Sequence, residues 1–284
     1  MTAPKNIINI QIDRKTYDLY NTSKLFLIAG PCVVENKETT FNIAVKIKDI
    51  SLKLNIPFIF KASYKKANRT SVNSFRSIGT ERALEILGNV HTKLNIPVLT
   101  DVHSEIEALI AAEFVDVIQI PAFLSRQTEL LEAAGETGKI VNIKKGQFLS
   151  PDDMKYQIKK VESTGNKKII VTERGSSFGY HNLVVDMRGL LIMKKFNYPV
   201  VYDATHSIQI PSKINGVSGG NPEFIFPMSR AAVSTGINGI FIETHTNPSK
   251  ALSDSSSMLK LSKLETLLNQ LISLHKMVSY YKNS

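Results

Sequence analysis

Four residues with metal-donor chemistry stand at or just beyond the ends of short apolar runs. LFLIAGPC ends on Cys32, VVYDATHS carries His206, GIFIETH carries Glu243, and Asp254 comes in the segment that follows. Thiolate, imidazole and carboxylate together suit a divalent transition metal such as Zn²⁺, Fe²⁺ or Mn²⁺. The spacing by itself is a weak pointer, because the chain contains no HxxxH or CxxC pair. The plainer alternative is an inert buried thiol beside polar strand ends that hydrogen-bond their neighbours.

A second group is cationic. Lys61, Lys65, Lys66, Arg69, Arg126, Lys144 and Arg174 all fall at the ends of such runs or a little past them. A surface lysine is ordinarily solvated, but a charge that closes a buried run has its stem in the core and its head in a cavity. Several converging cations call for an anion, most simply a small substrate bearing phosphate and carboxylate groups. A third group, Asp101 with His103 and Asn68 with Asp203, offers partners for hydroxyls, although each could equally satisfy loop backbone. His91 and His275 lie within helical patterns and read as packing or surface residues.

The elements that must position these residues repeat along the chain. Eight short runs, LFLIAGPC, PFIFKAS, PVLTDVH, DVIQIPA, IVNIKKG, KIIVTERG, VVYDATHS and GIFIETH, read as strands buried on both faces. Helical patterns are predicted at 39–54, 78–94, 103–114, 126–137, 151–163, 182–196, 223–236 and 258–281. The fifth has Ser150 as N-cap and Pro151 at its first position. Eight strand-then-helix units predict an α/β fold, a closed (β/α)₈ TIM barrel, whose active site lies at the carboxyl ends of the strands. The reactive residues sit at those ends. A short segment before the first run, NIINIQI, is predicted to cap the barrel floor. Two long polar loops, KKANRTSVNSFRSIG and PSKINGVSGGNPEF, fall on the catalytic face.

Composition bounds the function. All 284 residues read as one domain, since no linker interrupts the alternation, and 43% hydrophobic with 21% charged residues is ordinary for a chain with a large core. No apolar stretch reaches the roughly 18–20 residues that span a bilayer. The amino terminus lacks the layout of a secretory signal, and one cysteine forms no internal disulfide, so the cytoplasm is the expected compartment. A net charge of +10 raises nucleic acid as a partner, but no nucleic-acid-binding motif is visible and a barrel mouth is small and concave. There is no GxGxxG between a strand and a helix and no GxSxG elbow, so neither a dinucleotide site nor a serine hydrolase is supported.

From Phe26 to Leu264 the chain resembles the 3-deoxy-D-manno-octulosonate 8-phosphate synthases, which join phosphoenolpyruvate to arabinose 5-phosphate. The resemblance runs in order through IAGPCVVE, FKASYKKANRTS, TDVH, QIPAFLSRQT, VNIKKGQF, TERGSSFGYHNLVVD, DATHS, SGGNPEFIFP and FIETHTNPSKALSD. Some members of this family need a metal and carry Cys where the others have Asn, so Cys32 implies the metal-dependent class. The resemblance implies that Cys32, His206, Glu243 and Asp254 ligate the ion. It implies that Lys61, Lys66, Gln119, Lys144 and Arg174 surround phosphoenolpyruvate, with contacts from Ser63 and Ala122. Asn68, Arg69 and Thr70 would hold the sugar phosphate, with Arg126 arriving from an adjacent subunit of a homotetramer. Thr70 stands where Ser is frequent, an exchange of one hydroxyl for another. Lys66, Asp101, His103 and Asp203 would act near the reacting centre. The product would feed the lipopolysaccharide inner core.

Two alternatives carry their own discriminators. The related synthase of aromatic biosynthesis, which uses erythrose 4-phosphate, shares the barrel and the metal set but typically reads KPRTS where this chain has KANRTS. A basic nucleic-acid-binding protein on a barrel scaffold would instead retain RNA in a salt-sensitive way.

Overall fold

The computed structural model describes residues 6–20, 24–68, 74–214 and 217–283. Eight parallel strands form the barrel: β1 (Phe26–Gly30), β2 (Phe58–Lys61), β3 (Val98–Asp101), β4 (Val117–Ile120), β5 (Ile140–Lys144), β6 (Ile169–Glu173), β7 (Val200–Asp203) and β8 (Gly239–His245). Each pairs with the next, and β8 closes on β1 in a register running from Gly239↔Phe26 to Glu243↔Gly30. Every residue of these strands is buried, which is why they read as continuous apolar runs rather than alternating ones. The TIM barrel expected from the sequence is the fold observed.

Helices α1 (Lys37–Leu54), α2 (Thr80–Leu94), α3 (Glu105–Ala112), α4 (Thr128–Glu136), α5 (Met154–Glu162), α6 (Met187–Lys194), α7 (Ile225–Ser234) and α8 (Leu264–Asn283) surround the strands. Local signals set their ends. Asn36 caps α1 by accepting from Thr39 N at 2.8 Å, and Ser104 caps α3 by accepting from Glu107 N. The pentapeptide KLNIP occurs twice, at 53–57 and 93–97, and does the same work each time. Its asparagine takes the left-handed conformation that stops α1 (Asn55, φ 53°) or α2 (Asn95, φ 49°), and its proline leads into the next strand. Asn197, two residues before Pro199, repeats the device ahead of β7 with φ 60°.

Three predicted helices begin later than expected. The stretch from 182 starts at Met187, because Leu183–Val184 pairs antiparallel with Ser176–Ser177 and Asp186 then caps α6 through Arg188 N. The last helix starts at Leu264, because Leu259–Lys260 forms a strand beside Thr244–His245. After Ser150 and Pro151 the first turn is 3₁₀, and α5 proper begins at Met154. At the floor, Asn9–Ile12 pairs with Lys15–Asp18, burying Ile8, Ile10 and Ile12. Asp13 N donates to Asn95 O and Asn238 Nδ2 donates to Tyr20 O, so the hairpin closes the amino-terminal ends of the strands as predicted. Among the described residues no helix is long and apolar enough to cross a membrane.

Candidate functional site

Four of the predicted cations, Lys61, Lys66, Lys144 and Arg174, meet at one cavity of about 260 Å³ at the carboxyl end of the barrel. Lys61 closes β2 and is 1% exposed; its Nζ donates to Glu243 Oε1 (2.6 Å), Cys32 O (3.0 Å) and Ser63 Oγ (3.2 Å). Lys66 Nζ donates to the same Ser63 Oγ at 2.7 Å. β1 can approach this corner only because residue 30 is glycine: a Cβ there would lie 2.0 Å from Lys61 O. Lys144 closes β5, with Nζ 2.5 Å from Asp203 Oδ2 and 3.8 Å above the Phe241 ring. Arg174 follows β6 and donates from Nη2 to Gln209 Oε1, while its Nη1 is buried with no hydrogen-bond partner among the described residues.

These cations are held at an energetic cost. Burial pushes the Lys144 ammonium and the Arg174 guanidinium below their ordinary values, against the pull of Asp203 on both. A buried donor left unpaired, as Arg174 Nη1 is, costs about 1–3 kcal/mol, and an anion in the cavity would relieve it. Gln119 on β4 is fixed by a ladder across the barrel, accepting from Asn142 Nδ2 (2.9 Å) while Thr172 Oγ1 donates to Asn142 Oδ1 (2.7 Å).

Two acid–imidazole pairs stand at the same cavity, where Asp101, His103 and His206 line the wall and Asp203 is buried behind it. His103 Nε2 lies 3.4 Å from Asp101 Oδ2, and His103 Nδ1 lies 3.1 Å from Glu107 Oε2 on α3. Burial alone would raise the Asp101 carboxyl, but Lys66, His103 and Lys61 hold it well below the carboxylate range. Across the mouth, Asp203 accepts from His206 N and holds His206 Nδ1 at 2.8 Å. That bond orients the ring and leaves Nε2 3.5 Å from Glu243 Oε1.

The thiol and carboxylates meet beside Lys61. Donor atoms of Cys32, Glu243 and Asp254 all lie within 4.8 Å of one another, and Cys32 Sγ is 3.0 Å from Asp254 Oδ2. His206 is outside that group of three and reaches it through Glu243. The donor set fits a divalent cation on two counts. Glu243 Oε2 is buried with no hydrogen-bond partner among the described residues. Burial, with Asp254 and Glu243, pushes the Cys32 thiol up, so a thiolate there needs a cation against it. Asp254 sits on its loop at φ 48°, a left-handed conformation that aspartate tolerates better than most residues.

Ser63, Asn68 and Ala122 also line the cavity. Lys65 does not: it turns outward to pair with Glu107. Arg126 is exposed, outside its own chain's cavity, and its carbonyl accepts from Lys160 Nζ. Arg69 and Thr70 lie outside the described residues. Sequence reasoning missed Phe75, Phe123, Gln147, Gln209 and Ser253 on the cavity wall, and the carboxylate of Glu107 behind it. None of these ends an apolar run, the signal that marked Lys61, Asp101, Lys144 and Glu243. Lys145, adjacent to Lys144, faces away and bonds Gly146 O, Leu149 O and Ser176 Oγ, with Glu173 3.5 Å off.

The profile of the DAHP synthetase I family matches residues 10–280. The 2-dehydro-3-deoxyphosphooctonate aldolase of Geotalea uraniireducens is 56% identical over 247 residues, covering 87% of this chain and 91% of that protein. The proteins of the same name from Desulfatibacillum aliphaticivorans and Rickettsia prowazekii are each 52% identical, over 255 and 251 residues, or 90% and 88% of this chain and 93% and 91% of theirs.

Proposed function

We propose that this chain, which belongs to the DAHP synthetase I family, condenses phosphoenolpyruvate with D-arabinose 5-phosphate and water. The products are 3-deoxy-D-manno-octulosonate 8-phosphate, destined for the lipopolysaccharide inner core, and inorganic phosphate. The observation that carries the reading is the set of four buried cations, Lys61, Lys66, Lys144 and Arg174, on one small cavity beside a thiol–carboxylate group. Such a wall neutralises the phosphate and carboxylate of phosphoenolpyruvate and lets a second anion, the sugar phosphate, approach. Gln119, Ser63 and Ala122 complete that subsite. Asn68, Arg69 and Thr70 take the sugar phosphate, with Arg126 supplied by a neighbouring subunit of a homotetramer.

In the reaction C3 of phosphoenolpyruvate bonds to the aldehyde carbon, water adds at C2, and the C2–O bond to phosphate breaks. Holding the two substrates in line is the chief contribution of the cationic wall, worth about 7 kcal/mol in well-oriented cases. His103, oriented through Nδ1 by Glu107, handles a proton on the Asp101 side of the cavity. Asp203 keeps Lys144 and His206 in place. Cys32, Glu243 and Asp254, with His206 beside them, would hold a divalent transition metal, which would supply Lewis-acid chemistry when bound. The reaction is assigned to the cytoplasm.

The test is phosphate release from phosphoenolpyruvate by the purified protein, with arabinose 5-phosphate run against erythrose 4-phosphate. Release with the five-carbon sugar, lost on chelation and restored by Mn²⁺ or Zn²⁺, is the expected result. Release with erythrose 4-phosphate alone would move the chain to aromatic biosynthesis, and chelator-insensitive turnover would remove Cys32 from its role.

A further inference from the structure

His245 ends β8 two residues past Glu243, is 6% exposed in its side chain, and does not line the cavity. Its Nε2 faces Glu35 Oε2 at 3.7 Å, within ion-pair range and longer than a hydrogen bond. Glu35 lies three residues past Cys32, and its other oxygen, Oε1, accepts from Leu252 N at 2.9 Å. Leu252 in turn lies two residues before Asp254. One carboxylate therefore ties together the three segments that carry Cys32, Glu243 and Asp254. The backbone around His245 is itself fixed, with His245 Nδ1 2.8 Å from Asn247 O and 3.0 Å from Asn247 N.

We infer that Glu35 and His245 form a clamp that sets the spacing of the Cys32, Glu243 and Asp254 donors around a divalent cation. The inference rests on the metal-binding part of the proposed function. Cys32 and Glu243 emerge from paired strands, whose register sets their separation. Asp254 is not on a strand: it sits on a loop, in a left-handed conformation, with its carbonyl accepting from Ser257 N at 3.1 Å and the Leu252 amide an anchor just upstream. Glu35 and His245 are positioning residues. They act on the loop and the strand ends, and neither is a ligand.

The test uses the full chain reconstituted with Co²⁺, whose thiolate charge-transfer band reports the Cys32–metal bond, together with affinity measured by chelator competition. Glu35→Ala is expected to bind Co²⁺ roughly 10- to 100-fold more weakly than wild type and to change the band, as outer residues of metal sites commonly do. Glu35→Gln keeps an oxygen for Leu252 N and is expected within about 3-fold of wild type, far less than an outer-residue deletion. Thermal unfolding of the metal-free proteins shows whether they fold; should Glu35→Ala not fold, His245→Ala is judged by the same weakening. A folded Glu35→Ala protein with wild-type affinity and band overturns the clamp, as does Glu35→Gln as weak as Glu35→Ala. Absence of a charge-transfer band in wild type instead overturns the metal-binding reading and the clamp with it.

Discussion

At the floor of the barrel, strand ends are closed by short polar side chains that bond main-chain groups. Asn238 Oδ1 accepts from Val200 N, Asp116 Oδ2 accepts from Val98 N, and Asn166 Nδ2 donates to Gly135 O and Lys139 O. Ile8, Ile10, Ile12 and Leu19 pack beneath them. At the mouth, the corresponding positions hold Lys61, Lys144, Arg174, Asp101, Asp203 and Glu243, all buried and ionisable. Three of these, Arg174 through Nη1, Asp101 through Oδ1 and Glu243 through Oε2, have an atom with no hydrogen-bond partner among the described residues. These floor side chains are satisfied by main-chain groups; the mouth leaves several atoms for a ligand. Buried ion pairs are weak sources of stability, so the difference separates an end that holds the fold together from one that binds.

The sharpest way to break that division is at Lys61. Lys61→Ala leaves Glu243 buried without its nearest cation, and phosphate release is expected to fall roughly 10²- to 10³-fold or more. Stability should fall by about 3–5 kcal/mol in urea unfolding, because one charge of a buried pair is stranded. The double variant Lys61→Met, Glu243→Leu should regain most of that stability and none of the activity. A double variant as unstable as the single one would mean that the mouth holds the fold as the floor does. The converse variant is Leu19→Ala at the floor, expected to lose about 2–5 kcal/mol of stability with kcat/KM unchanged in the folded enzyme.

A finer variant asks whether the mouth recognises shape as well as charge. Arg174→Lys keeps a cation but replaces a planar fork with a point charge, and the KM for phosphoenolpyruvate is expected to rise roughly 10- to 100-fold with stability little changed. An unchanged KM would show that the Arg174 position needs charge only.

Much of this arrangement was legible in the chain because a barrel strand is short and buried and carries its charged residues where it ends. That is why Cys32, Lys61, Asp101, Gln119, Lys144, Arg174, Asp203 and Glu243 could be read as neighbours before their distances were known. What stayed hidden depended on direction. Lys65 and Lys66 are adjacent, and the turn after β2 sends one to Glu107 and the other to Ser63. Lys144 and Lys145 separate instead by the alternation of the extended backbone at the end of β5. Gln209 and Ser253 arrive from loops after β7 and β8 with no periodicity to mark them. The repeated KLNIP segment was available as a helix stop followed by a strand start, through an αL asparagine and a proline. The leucine stripe hid the late start of α8, because the pairing of Leu259–Lys260 with the end of β8 is a long-range contact.

The smallest expected effect concerns acid. Lys66, His103 and Lys61 outweigh burial and hold Asp101 well below its ordinary value, so below neutral pH the unfolded chain takes up this proton before the folded one does. The stabilisation is therefore fully present above about pH 5 and is lost as pH falls through the native value. In urea titrations repeated from pH 7 downward, wild type should lose stability on the acid side and Asp101→Asn should lose less, the two curves converging at low pH. The floor variant Leu19→Ala should instead run parallel to wild type throughout, since an apolar contact has no proton to exchange. Parallel curves for Asp101→Asn would show that the carboxylate at the mouth is as indifferent to its neighbours as the leucine at the floor, and would dissolve the electrostatic contrast between the two ends.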